Sequence, residues 1–135
     1  MYKIELNEND IEVASSSVVR KAGRDFAAAL AETPQFKAFE QAYMSLSKDS
    51  VAQQALSAYQ AKAESLRALL MLNAVPESER VELERLKNEY LACTTVQAYG
   101  LAEAELTALC RQAAKMISEA IGLNYATACG ASCCG

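Results

Sequence analysis

The stretch that decides the fold is TVQAYGLAEAELTALCRQAAKMISEAIG, residues 95–122. It contains no proline, and its apolar residues recur every three or four positions, which is the period of one face of an α-helix. Thr95 is placed to cap the start of this helix, and Gly122 is placed to close it. The segment therefore predicts a long amphipathic last helix with the apolar face Val96, Tyr99, Leu106, Leu109, Cys110, Ala113, Met116, Ile117 and Ile121.

Start and stop signals upstream of this segment predict four more helices. Serine, threonine, aspartate and proline precede runs with helical periodicity, as they do at helix starts. The predicted helices run from Asn9-Asp10 or Ser15 to about Ala31, from Thr33-Pro34 to about Ser47, from Asp49 to about Asn73, and from Pro76 or Ser78 up to Thr94-Thr95.

Together these elements predict an all-α fold of about five helices. The third and last helices form a long antiparallel hairpin or bundle with the fourth, and the two shorter N-terminal helices fold across it. Residues 1–122 make the helical domain and residues 123–135 a cysteine-containing tail. Such a hairpin leaves a broad apolar stripe exposed, so we expect self-association. The predicted interface residues are Tyr59, Leu66, Leu70, Leu83, Tyr90 and Tyr99.

The amino-acid composition argues against several classes of function. The 135 residues include 13 Lys and Arg, 17 Asp and Glu, and no His, for a formal net charge of −4. No long basic stretch is present, which argues against direct nucleic-acid binding. The lack of histidine excludes Ser–His and Cys–His nucleophile pairs and a Cys/His zinc finger, so we expect a non-enzymatic protein. No apolar run is long enough to span a bilayer, and the first residues lack the pattern of a secretory signal. We therefore expect a cytoplasmic protein without membrane contact.

Three of the five cysteines lie in the last seven residues, at Cys129, Cys133 and Cys134. The small residues between them let the backbone curl, so that several sulfurs can point at one spot. Thiolate is the preferred ligand of soft metals and of iron–sulfur clusters. The alternatives are incidental thiols and redox-active or disulfide-forming thiols. Cys110 lies on the apolar face of the last helix, so it is predicted to belong to the core. Cys93 lies near a helix end, where both burial and exposure are open and burial is favoured.

Four segments of the chain are distinctive in their order and spacing. The first two are FAAALAETPQFKAFEQA, residues 26–42, and DSVAQQALSAYQ, residues 49–60. The other two are TTVQAY, residues 94–99, before the last helix, and ISEAIG, residues 117–122, at its end. In this order and spacing the four segments resemble the YlbF/YmcA family. The resemblance covers roughly residues 15–122, nearly the whole predicted helical domain.

The resemblance implies an all-helical protein that assembles with related subunits in bacterial control of competence, sporulation and biofilm formation. A YlbF–YmcA–YaaT complex of this kind steers ribonuclease Y in RNA maturation and carries iron–sulfur clusters. Some members have a C-terminal cysteine tail that supplies cluster ligands, and Cys129, Cys133 and Cys134 match such a tail. Three cysteines are one short of the usual four ligands, so the expected cluster is shared with a partner chain.

The leading hypothesis is therefore a regulatory subunit whose partners are copies of itself, YlbF/YmcA/YaaT-like proteins, and through them a ribonuclease. The first alternative is a cofactor-free helical oligomeric scaffold with an incidental tail. The second is a thiol redox protein, which needs a low-pKa attacking cysteine and a resolving partner. The absence of a Cys-x-x-Cys motif at a helix start counts against that second alternative.

Overall fold

The computed structural model describes residues 15–124, and every regular element within them is a helix. The all-α prediction is confirmed, with five long helices and one short one in this part of the chain. They are α1 (Ser16–Ala31), α2 (Pro34–Lys48), α3 (Ser50–Ser65), α4 (Arg67–Met71), α5 (Glu77–Leu91) and α6 (Thr94–Ile121). None of the helices in residues 15–124 is long and apolar enough to cross a bilayer.

The chain divides after Thr33 into two compact units. The described part of the first unit is α1, which begins after Ser15, one of its two predicted caps. Its apolar residues share one side, and its basic residues lie on the other side, because helical positions three and four apart face the same way. Val18 and Phe26 on the apolar side are 57% and 48% exposed.

The second unit is a helical hairpin whose first arm is α2 followed by α3 and whose second arm is α5 followed by α6. Helix α2 packs along α6, and α3 packs along α5. The arms are antiparallel, because Asp49 in the first arm meets Thr95, whereas Lys62, closer to the tip, forms an ion pair with Glu79. The prediction that the second helix folds across the hairpin is wrong. A break of one residue separates α2 from α3, so α2 belongs to the arm itself.

The third helix is shorter than the prediction, which extends it to about Asn73. The helix stops at Leu66, where the chain turns into the five-residue α4. The turn buries Leu66, which is 6% exposed, and Val75, which is 7% exposed. Asn73 takes a positive φ of 50°, and this left-handed residue directs the chain toward the second arm. Met71 and Leu72 remain 81% and 75% exposed.

The other helix ends follow local sequence signals. Pro34 opens α2 as predicted, and Thr33 donates its hydroxyl to the Leu30 carbonyl oxygen at 2.6 Å. Gly122 closes α6 with a φ of 69°, a left-handed conformation that costs glycine little. The start of α6 is different from the prediction, since Cys93 and not Thr95 occupies the N-cap position.

Few large side chains are buried in the described residues. Three of the six buried apolar residues are alanines, and small side chains let neighbouring helices approach closely. No large side chain in this part of the chain is fully buried, and Val51 and Leu101 are 69% and 64% exposed. The hairpin therefore has a thin core, made of Ala42, Ala52, Leu66, Val75, Val96 and Ala102.

Candidate functional site

The breaks in the two arms of the hairpin lie side by side and are joined by one carboxylate. Asp49 caps α3, because its Oδ1 accepts a hydrogen bond from the Ala52 backbone N–H at 3.1 Å. Its Oδ2 accepts a second hydrogen bond, from the Thr95 hydroxyl in the other arm, at 2.6 Å. Thr95 is thus used to hold the two arms together and not to cap its own helix.

Two glutamines reinforce this junction, one in each arm. Gln53 donates its side-chain N–H to the Leu46 carbonyl oxygen at 3.1 Å, and Gln97 does the same to Leu91 at 3.2 Å. Each glutamine lies four residues after an N-cap residue, Asp49 or Cys93 in turn. Both reach back across a break to a carbonyl at the end of the preceding helix, where helices lack internal partners. The two breaks therefore share this glutamine contact, although only the break in the first arm has a side-chain cap.

The junction lowers the pKa of the Asp49 carboxyl below its ordinary value of 3.8. The hydrogen bond from Thr95 is the larger cause, and the backbone N–H of Ala52 adds to it, because both favour the charged form. A folded-state pKa below the unfolded one contributes stability above the unfolded pKa. That contribution is lost as the pH falls through the folded-state value.

We therefore expect a pH-dependent difference between the wild type and the Asp49→Asn variant. Asparagine keeps one oxygen that can accept from the Ala52 N–H, but it places an amide nitrogen, which only donates, against the Thr95 hydroxyl, and it carries no charge. The wild type should melt higher at neutral pH, and the two proteins should converge in acid as Asp49 is protonated. Thermal unfolding followed by circular dichroism from about pH 7 to about pH 2 measures this difference. A gap that stays constant over the whole range would contradict the assignment.

Beyond the junction, the α2–α6 pair has two unlike flanks. On one flank Tyr99 lies between two aromatic rings of α2, with its ring centroid 5.4 Å from that of Phe39 and 6.5 Å from that of Tyr43. The rings are tilted at 43° and 49°, an arrangement that the aromatic quadrupole favours. Tyr43 is 57% exposed, so the aromatic cluster is open to solvent at its edge.

The other flank of the α2–α6 pair is a groove. Two adjoining hollows, which share Ala38 and Glu105, open along it from the junction toward the start of α2. Small residues dominate its floor, and glutamines and Glu105 supply its polar atoms. The lining of this groove, which we call the α2–α6 groove, includes Ala38, Gln41, Ala98, Leu101, Glu105, Ala108, Leu109 and Gln112.

A family model described as control of competence regulator ComK, YlbF/YmcA, matches residues 19–122. The chain belongs to the YlbF/YmcA family. The match begins within α1 and ends at Gly122, so it includes both arms of the hairpin and the junction between them. The predicted resemblance is thereby confirmed. No curated protein and no solved structure matches the chain.

In this YlbF/YmcA protein, five of the six predicted interface residues are covered at least in part by the hairpin itself. Leu66 is buried at the tip, and half-buried positions on the paired helices are occupied by Tyr59, Leu83, Tyr90 and Tyr99. Leu70 is 45% exposed. Tyr99 is the member of this set that the structure places in the aromatic cluster. The assignment of the six to an interface stays a prediction.

The cysteines of this YlbF/YmcA protein fall into two groups. Cys129, Cys133 and Cys134, the predicted cluster ligands, lie outside the described residues. Cys93 and Cys110 are free and half-buried, and Cys93 donates its thiol to the Glu89 carbonyl oxygen at 3.4 Å. These two lie on one helix about 25 Å apart at 1.5 Å per residue, so they do not bind one cluster together. In residues 15–124 no three His, Cys, Asp or Glu side chains are grouped to hold a metal ion.

Proposed function

We propose that this chain is a non-enzymatic regulatory subunit that assembles through the faces of its hairpin with copies of itself or with related helical proteins. The observation that carries the proposal is the thin core. Helices that leave residues such as Val51, Leu101 and Met116 69%, 64% and 70% exposed lose much of the stabilisation that burial provides. Exposed apolar side chains that share one helix face, as Leu101 and Met116 do on α6, mark a candidate protein–protein contact surface.

The proposal extends to the cysteine tail, where Cys129, Cys133 and Cys134 are the ligands of an iron–sulfur cluster completed by a partner chain. Its support is chemical: three thiols within six residues, separated by small residues that allow a tight backbone. When bound, the cluster would supply a redox- and iron-sensitive link between subunits. The described residues contribute the hairpin that brings partner chains together.

The process that we propose for this subunit is the control of bacterial gene expression in developmental states. The matching family model is described as control of the competence regulator ComK, which supports a regulatory role. Within that role, we place the chain in ribonuclease-dependent RNA processing or in competence, sporulation and biofilm control. A protein of this kind acts by binding partners in the cytoplasm, without contacting RNA or membranes itself.

A serine substitution of all three tail cysteines tests the cluster. Wild-type protein, purified without oxygen alone and co-expressed with YlbF/YmcA/YaaT-like partners, should show broad visible absorption and contain iron and sulfide. The triple variant Cys129→Ser, Cys133→Ser, Cys134→Ser should lose all three signals. The matched control is Cys110→Ser, which changes a half-buried thiol of α6 and should keep them.

Two results would overturn parts of the proposal. Colourless, iron-free wild-type protein under both conditions would refute the cluster and favour a cofactor-free scaffold. Wild-type protein that sediments as a monomer, alone and with those partners, would refute assembly. Reduction of a model disulfide by the wild type, lost in single tail variants, would favour a thiol redox protein instead.

A further inference from the structure

The exposed flank of α6 continues in both directions along the α2–α6 groove. Ala98, Leu101, Glu105 and Ala108 follow one another at intervals of three or four residues, so they lie on one side of the helix. The same side continues through Gln112, Met116 and Glu119. The two large apolar side chains near its ends are the most open, since Leu101 is 64% and Met116 is 70% exposed.

The residues along this flank of α6 complement those of a second α6 that runs antiparallel to it. If a second α6 runs antiparallel with the two-fold axis between Ala108 and Leu109, then Leu101 faces Met116 of the second copy. Glu105 then faces Gln112, and Ala108 faces Leu109. In these three pairs apolar residues meet apolar residues, and the carboxylate meets an amide that can donate to it. At the outer ends of the overlap Ala98 faces Glu119. A single symmetry operation forms each pair twice, as an isologous interface requires.

The size of the contact agrees with this arrangement. The overlap from Ala98 to Glu119 spans 22 residues, or about 33 Å of helix at 1.5 Å per residue. A strip of that length and about 10 Å wide, together with the flank of α2, covers roughly 500 Å² on each copy. The total of about 1,000 Å² lies at the lower limit for a specific protein–protein interface. Alanines in the groove leave room for the second helix to approach closely.

We infer that the α2–α6 groove is a homodimer interface, in which α6 of a second copy lies antiparallel with Ala108 and Leu109 at the two-fold axis. This inference deepens the proposed function and rests on its assembly part, because it names one surface and one partner. The small residues of α2 and α6 then form the floor on which Met116 of the second copy packs, beside Leu101.

An arginine at the axis tests the surface. Ala108→Arg places two charges against Leu109 of the opposite copy, so the dimer dissociation constant should rise about 100-fold or more. The matched control is Thr107→Arg, which adds the same charge at an exposed neighbouring position on the other side of α6. Sedimentation equilibrium measures the association, and circular dichroism checks that both variants keep the helical content of the wild type.

A charge exchange tests the register independently of any loss of folding. Gln112→Glu alone sets a carboxylate against Glu105 and should weaken the dimer, whereas Glu105→Lys combined with Gln112→Glu should restore it. A wild-type dimer that Ala108→Arg and the charge exchange leave unchanged would overturn this interface and leave the proposed function standing. A wild type that is monomeric alone but binds a related partner would also overturn it. A wild type that is monomeric with every partner would overturn both.

Discussion

Replacing Ala52 by leucine should lower the free energy of unfolding by about 1–3 kcal/mol, the usual cost of forcing extra methylenes into a packed site. Ala52 is 0% exposed and lies in the first turn of α3, beside the junction. Its backbone N–H donates to Asp49, so a larger side chain there displaces the residue that also holds Thr95. The substitution therefore strains the core and the link between the arms together.

Urea unfolding followed by circular dichroism measures this change. The control is Ala58→Leu, which adds the same atoms at an exposed position of the same helix and should change the stability little. An Ala52→Leu variant as stable as the control would show that the arms separate more easily than their packing indicates.

The second large effect is expected for Asp49→Ala. Alanine removes both the cap of α3 and the acceptor for Thr95, and N-cap loss alone is a substantial destabilisation. We expect the melting temperature to fall by roughly 5 °C or more, because both arms lose a hydrogen bond at their break. Differential scanning calorimetry at neutral pH gives the value directly.

A double-mutant cycle separates the cap from the link between the arms. Thr95→Val removes the hydroxyl and keeps the shape, so it should destabilise the wild type and have little further effect in the Asp49→Ala background. Additive effects of the two substitutions would mean that the Asp49–Thr95 hydrogen bond contributes nothing to stability. Thr95→Ser, which keeps the hydroxyl, should behave nearly as the wild type.

Local signals allowed most helix ends to be predicted from the sequence. Pro34 fixes its own φ and lacks an N–H, so it marks a helix start wherever it occurs in such a pattern. Gly122 accepts the left-handed conformation at the end of α6 for an equally local reason. The sequence predicts Asp49 as a cap for a local reason as well, because its side chain accepts from a backbone N–H three residues away.

The features that the sequence did not reveal depend on residues that are distant in the chain. The role of Thr95 requires Asp49, 46 residues away, so its local context suggested only a cap. The break at Leu66 has no glycine or proline, and it follows from burial at the hairpin tip. The spacing from N-cap to glutamine, shared by Gln53 and Gln97, was the available sign that the two breaks correspond.

The α2–α6 groove could not be predicted from the sequence for a related reason. Alanines such as Ala38 and Ala98 favour helix in any context, so they are not distinctive in a list of core residues. Their arrangement as a groove exists only when α2 and α6 lie side by side. The tail cysteines are the reverse case, since their chemistry is evident in the sequence while their positions lie outside residues 15–124.

The paired breaks at Asp49 and Cys93 reset the helical phase in the middle of the hairpin. An inserted residue turns the following part of a helix by about 100°. We expect an insertion in α3 or α5 to alter the tip half of the hairpin and to stop at the junction, where each arm begins a new helix. A change in the length of the tip should therefore leave the packing of α2 against α6 unrotated.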